Sequence, residues 1–195
     1  MLSDEELYKW TLPFITGTGD AALEINPENP QPAPKVGPEY SGVALGEDGE
    51  PFCVDKSMNM SSSDVKEKLL SLMPLIKERL KYLTDAAEMV HFLFTEPAVP
   101  PVEQIIPKKL DSAKTKEVLE KAKDFVKALP ELSHEEQENL AKKMAEDLGI
   151  KLGDFMMPIR MAVTGSRVSP PLMGSILILG VEKSIERIER TLKSF

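Results

Sequence analysis

Four polar side chains crowd the corners of residues 150–190: Arg160, Ser166, Arg167 and Ser169. Arginine carries a rigid, planar fork of donors that suits base acceptors and phosphate alike. Its ordinary alternative is a surface ion pair, worth ~0–1 kcal/mol. Met156, Met157 and Met161 flank Arg160; they suit core filling, with a pliable apolar wall beside a base as the other use. Other reactive groups are scattered. His91 and His134 stand apart, the first expected as a satisfied, partly buried residue of an apolar helix and the second as plain surface. Nothing beside Cys53 in sequence favours its thiolate, so a nucleophile is not indicated. As the single cysteine it excludes an internal disulfide and a zinc cluster. The glycine clusters at 17–19 and 46–49 do not lie between a strand and a well-formed helix, so no nucleotide-binding fingerprint is present.

The elements that must hold these residues read as helices. Asp154 is placed to cap one carrying Phe155, Ile159 and Val163, with Thr164 and Gly165 as its stop. Ser169 as N-cap and Pro170 at the first position begin another, with Leu172, Ile176 and Leu179 inward and Gly180 at its end. The last helix puts Ile185, Ile188 and Leu192 on one side, with Arg187, Arg190 and Lys193 on others. Upstream, Ser3 and Glu6 form a capping box before Leu7, Trp10 and Phe14, and Pro13 should kink or end that helix. Val65, Leu69, Leu72, Met73, Ile76 and Leu80 recur at helical spacing around Pro74. Thr84 is expected to cap a helix with Ala87, Val90, Leu93 and Phe94 inward. Asp111 starts another, bearing Val118, Leu119, Ala122, Phe125, Val126 and Leu129, closed by Pro130. Ser133 and Glu136 make a second capping box ahead of Leu140, Met144 and Leu148, with Gly149 as the stop. Residues 18–62 are rich in proline and glycine and read as a mobile, dispensable insertion, with a small hairpin over 43–54 as an alternative.

This predicts an all-α fold: an irregular helical bundle or cage of two small subdomains. Residues 1–17 and 63–107 make the first, 18–62 the flexible insertion, and 108–195 the second. The chain has 195 residues, enough for a real core. Its net charge of −8 argues on its face against a nucleic-acid partner. The distribution softens this, because residues 1–64 hold 3 basic and 12 acidic side chains while 151–195 hold 7 and 4. A weak positive field at the C-terminal end suits touching RNA but not tight phosphate-driven binding. The acidic start and the lack of a long apolar run point to a cytoplasmic protein without membrane contact.

The residues Lys151, Leu152 and Gly153, Pro158 to Arg160, Ala162 to Gly165, Ser169 and Pro170, Leu179 and Gly180, and Ile185, Arg187, Ile188 and Arg190 together resemble the C-terminal part of bacterial glutamyl-tRNA synthetases. A second match upstream comprises Leu75 to Arg79, Leu83, and Phe92 to Phe94. With Leu7 and Leu12 to Phe14, the resemblance covers about three-quarters of the chain and leaves residues 18–62 unmatched.

The resemblance implies the anticodon-binding domain of a glutamate-tRNA ligase, a class I aminoacyl-tRNA synthetase acting in translation. The family's HIGH-type and KMSKS-type catalytic motifs are missing, so the chain is expected to be inactive alone, a detached C-terminal piece. No cofactor is expected in it, with ATP and Mg implied for the missing catalytic domain. The implied partners are glutamate tRNA through its anticodon loop and the catalytic domain of the parent synthetase, with no DNA. Such recognition reads splayed-out bases with planar donors and stacks the rest on apolar walls. By resemblance, Arg79 falls where the family places an arginine at the third anticodon base, an arrangement that prefers glutamate over glutamine tRNA. Arg160 falls at an anticodon-loop contact, Ser169 and Leu172 on the turn and helix start facing that loop, and Lys151 and Arg167 at positions suited to the RNA backbone. The alternative is a helical protein–protein interaction module without RNA binding; an independent enzyme has no supporting constellation.

Overall fold

The computed structural model describes residues 3–15, 62–77, 79–80 and 85–195. The hairpin and insertion expected within 18–62, Cys53, Leu83 and the Thr84 cap lie outside the described residues, apart from Ser62. Every regular element among the described residues is helical. The chain divides into two units, residues 1–96 and 97–195.

The first unit contains α1 (Asp4–Ile15), α2 (Ser62–Ile76) and α3 (Asp85–Val90), followed by a 3-10 turn, His91–Leu93. The capping box at its start is formed. The Ser3 N–H donates to Glu6 Oε2 at 2.8 Å and the Glu6 N–H to Ser3 Oγ at 3.2 Å. The helix runs on past Pro13 to Ile15. That proline stands in the last turn, where only one intrahelical bond is forfeited. α1 packs on α2 and α3, and Leu7 of α1 is buried, as are Leu69, Leu72, Met73 and Ile76 of α2. Lys77 at the end of α2 donates to Asp4 at the start of α1, 2.9 Å away. Each charge thereby also sits at the helix end whose dipole favours it. His91 is exposed rather than partly buried, and the Thr95 hydroxyl lies 2.8 Å from its Nδ1.

The second unit contains α4 (Val102–Ile105), α5 (Ser112–Ala128), α6 (His134–Asp147), α7 (Leu152–Thr164), α8 (Leu172–Leu179) and α9 (Val181–Leu192). The short α4, set among prolines, is not apparent in the sequence. Asp111 caps α5 by accepting from the Lys114 N–H at 2.7 Å. All six apolar residues predicted to face inward from this segment are buried. α5 packs on α7 and α9, and α6 packs on α7. Phe125 and Phe155 meet edge to face with centroids 5.6 Å apart at the centre of this core.

α6 departs from its predicted phase. Leu140, Met144 and Leu148 are only half-buried, while Gln137, Ala141 and Ala145 face inward. Gln137 is tolerated there because its amide donates to the carbonyls of Leu129 at 2.9 Å and Leu132 at 3.0 Å. It thereby satisfies the corner that Pro130 opens. The Ser133–Glu136 capping box is complete. The Ser133 hydroxyl, and then its backbone N–H, hold the Glu136 carboxyl below the ordinary glutamate range.

Candidate nucleic-acid interface

The corner joining α7 to α8 is assembled by side chains that end on backbone groups. Gly165 terminates α7 in the left-handed region at φ 71°, and its N–H returns to the Met161 carbonyl at 3.0 Å. A Cβ at this position would lie 2.6 Å from Pro97 Cβ, so glycine is needed for space as well as conformation. The Thr164 hydroxyl lies 2.9 Å from the Arg160 carbonyl and 3.2 Å from the Ser166 carbonyl. The Ser166 Oγ accepts from the Val168 N–H at 3.2 Å. One turn back on α7, Arg160 Nη1 donates to the Ser169 carbonyl at 3.2 Å, the Pro170 carbonyl at 2.9 Å and the Ser169 hydroxyl. The half-buried guanidinium is thus a clamp across the corner.

What the corner shows to solvent is Ser166, Arg167 and Val168. Val168 is 72% exposed, which makes it the most exposed large apolar side chain among the described residues. Arg167 Nη2 reaches the Gln104 carbonyl at 3.1 Å. A guanidinium offers both a stacking plane and hydrogen-bond donors, and an exposed apolar side chain beside it adds a surface to pack against.

Ser169 and Leu172 are 4% and 2% exposed, and they support the corner from inside. Ser169 does not cap α8. Pro171 is the N-cap and Leu172 the first helical residue, because the Ser169 oxygens are taken up by Arg160. Asp154 likewise lies in the first turn of α7, and exposed Lys151 is its N-cap. Lys151 is not brought to the corner, since the 13 residues of α7 separate them by roughly 20 Å at ~1.5 Å per residue. Arg79 belongs to the first unit. It is exposed on the turn after α2, its backbone N–H bonded to the Ile76 carbonyl at 2.8 Å.

Two arginines that the sequence sets apart from the apolar side of α9 also hold the fold. Arg187 is fully buried and donates to the Val163 carbonyl at 2.7 Å. Arg190 Nη2 donates to the Pro97 carbonyl at 2.7 Å. The inward face of α9 is Ser184, Arg187, Ile188 and Thr191. The small hydroxyl residues three before and four after Arg187 are the signal that could have revealed this.

Between α5 and α9 an open groove of about 520 Å³ is lined by Lys116, Lys121, Lys123 and Lys127, but also by Glu120, Asp124 and Glu189. The alternating signs cancel the field that a polyanion would follow. Among the described residues no three His, Cys, Asp or Glu side chains gather to hold a metal ion. No described helix is long and apolar enough to cross a membrane.

The family described as anticodon binding domain matches residues 45–192. The glutamate–tRNA ligase of Treponema denticola is 44% identical over 190 residues, covering 97% of this chain and 34% of its own length. That of Treponema pallidum strain Nichols is 46% identical over 128 residues, covering 66% and 24%. That of Solibacter usitatus is 40% identical over 129 residues, covering 65% and 27%. The chain therefore spans about a third of the length of the Treponema denticola relative. That alignment takes in most of residues 18–62, which the shared motifs leave unmatched, so the segment is common to at least one relative. A solved glutamate tRNA ligase from Elizabethkingia meningosepticum overlaps 71% of this chain and 27% of its own, with 23% identity and a TM-score of 0.47, too loose a likeness to carry an argument.

Proposed function

The chain belongs to the anticodon binding domain family, and we propose that it reads the anticodon loop of glutamate tRNA as part of a glutamate–tRNA ligase. The family match over residues 45–192 carries this reading, and the named ligases that align with it supply the substrate class. In this proposal the activation of glutamate, with its ATP and Mg2+, belongs to the catalytic domain of the parent synthetase. The protein works in the cytoplasm, where its tRNA is charged.

Within the reading, contact and support are divided among the arginines. Exposed Arg79 reads a base edge with two parallel donors, a contact worth about 1–3 kcal/mol of discrimination. Arg167 and Val168 offer the corner of the second unit as a donor and an apolar wall to a nucleotide, and Lys151 of the same unit meets the backbone. Arg160, Ser169 and Leu172 hold the corner in the shape that the loop requires.

Fluorescence anisotropy with a labelled anticodon stem-loop of glutamate tRNA, against one with a scrambled loop, tests this across a salt series. We expect preference for the cognate loop. Arg79→Ala should weaken it roughly tenfold or more with the melting temperature unchanged. Arg160→Ala should lower both affinity and melting temperature, because it frees the corner. Equal affinity for both loops, insensitive to both substitutions, would return the chain to a protein-docking scaffold.

A further inference from the structure

We propose that Arg187 is a positioning residue for RNA recognition, fixing from within the protein the corner that carries Arg167 and Val168. The inference rests on the RNA-recognition reading above and deepens it. It starts from the burial of a full positive charge. A guanidinium that is 0% exposed has given up its hydration, and an apolar side chain of similar volume often serves stability as well or better. Burial alone therefore does not explain why a charge stands at this position.

Its hydrogen bond to the end of α7 supplies a reason. The last carbonyls of α7 have no partner within the helix. One of them, Met161, receives the Gly165 N–H, and Val163 receives Arg187 Nη1 at 2.7 Å. The cation lies at the negative end of the α7 dipole, where it is favoured. Its neighbours on α9 make room for it. The Ser184 hydroxyl donates to the Gly180 carbonyl at 2.8 Å and the Thr191 hydroxyl to the Arg187 carbonyl at 2.9 Å, so both fold back on their own helix.

Val163 immediately precedes the Thr164–Gly165 corner. Arg187 pins the corner on that side, while Arg160 pins it on the other through Ser169 and Pro170. The residues held between the two clamps include exposed Arg167 and Val168. A surface ordered before it meets RNA does not have to be ordered by the RNA. The role predicts a signature that direct contact lacks: binding weakens while every phosphate keeps its partner, so the salt dependence does not change.

The test compares the full chain with Arg187→Met and Arg187→Lys, using the same labelled stem-loops over a salt range, with hydrogen exchange of backbone amides measured without RNA. Arg187→Met keeps the volume and should melt cooperatively. It should bind the glutamate stem-loop roughly tenfold more weakly, about 1.4 kcal/mol, with the slope of log K against log salt unchanged. The amides of Gly165, Ser166 and Val168 should exchange faster, and those of α5 should not. Arg187→Lys keeps the charge without the fork and should fall between, with the same slope. Unchanged affinity or unchanged corner exchange in a folded Met variant overturns the inference, and so does a slope reduced by the equivalent of about one phosphate. Should Arg187→Met fail to fold, a Lys variant equal to the native chain in both affinity and corner exchange overturns it instead. A native chain that does not prefer the cognate loop defeats the recognition reading and this inference together. A native chain that discriminates while Arg187→Met binds equally well defeats this inference alone.

Discussion

Gly165 and Gly149 both occupy the left-handed region, with φ of 71° and 68°, yet they meet different surroundings. Nothing lies within 4 Å of a Cβ built on Gly149, whereas one on Gly165 would strike Pro97. Gly149→Ala should therefore cost only the conformational strain, about 1 kcal/mol. Gly165→Ala should cost more, about 2–3 kcal/mol with displacement of the Pro97 segment, and it should loosen the Arg190 bond to the Pro97 carbonyl. Denaturant unfolding of the two variants checks the order; equal losses would mean that the proline yields without resistance. Both glycines are legible as helix stops in the sequence. The close approach of Pro97 is not, because it depends on a contact between residues nearly seventy positions apart.

At the scale of the helix, the local signals are strong. Ser3 with Glu6, Asp111, and Ser133 with Glu136 all begin helices where their spacing places them, since a cap is satisfied by groups two or three residues away. Because Ser133 holds the folded-state pKa of Glu136 below its unfolded value, the unfolded chain binds more protons through that window. The contribution is then complete above the ordinary glutamate range, about 4.3, and is lost as pH falls through the lower folded value. Glu136→Gln retains an acceptor for the capping box but cannot titrate, so it should melt slightly lower near neutral pH, and the fall in melting temperature on acidification should become shallower until the two chains converge in acid. An acid limb identical to that of the native chain would rule the linkage out. Signals that depend on a distant partner fail instead. Ser169 has the chemistry of an N-cap, yet Arg160 occupies its oxygens. α6 turns Gln137 inward because Leu129 and Leu132 offer it carbonyls.

Across the whole molecule, the division after Glu96 leaves residues 97–195 with a core of their own, from Val118 and Phe125 through Phe155 to Ile188. We expect residues 97–195 alone to fold, with helical circular dichroism and one cooperative thermal transition. A gradual melt would show that the unit depends on the rest of the chain. The basic excess of residues 151–195 reads in sequence as an outward field. The structure spends much of it internally, because Arg160, Arg187 and Arg190 donate to carbonyls. On the proposed function, RNA binding should accordingly lean on shape and a few base contacts rather than on a dense phosphate grip, with a correspondingly shallow salt dependence.

The order of the helices, their caps, most of their buried faces and the family likeness are all carried by residues close together in sequence, where spacing alone sets which groups meet. Which arginine is drawn into the core and which stays at the surface was settled only by tertiary packing. Arg187 and Arg167 are the same side chain with the same reach, and only the neighbouring helix, absent from any local window, places one on Val163 inside the core and leaves the other at the surface.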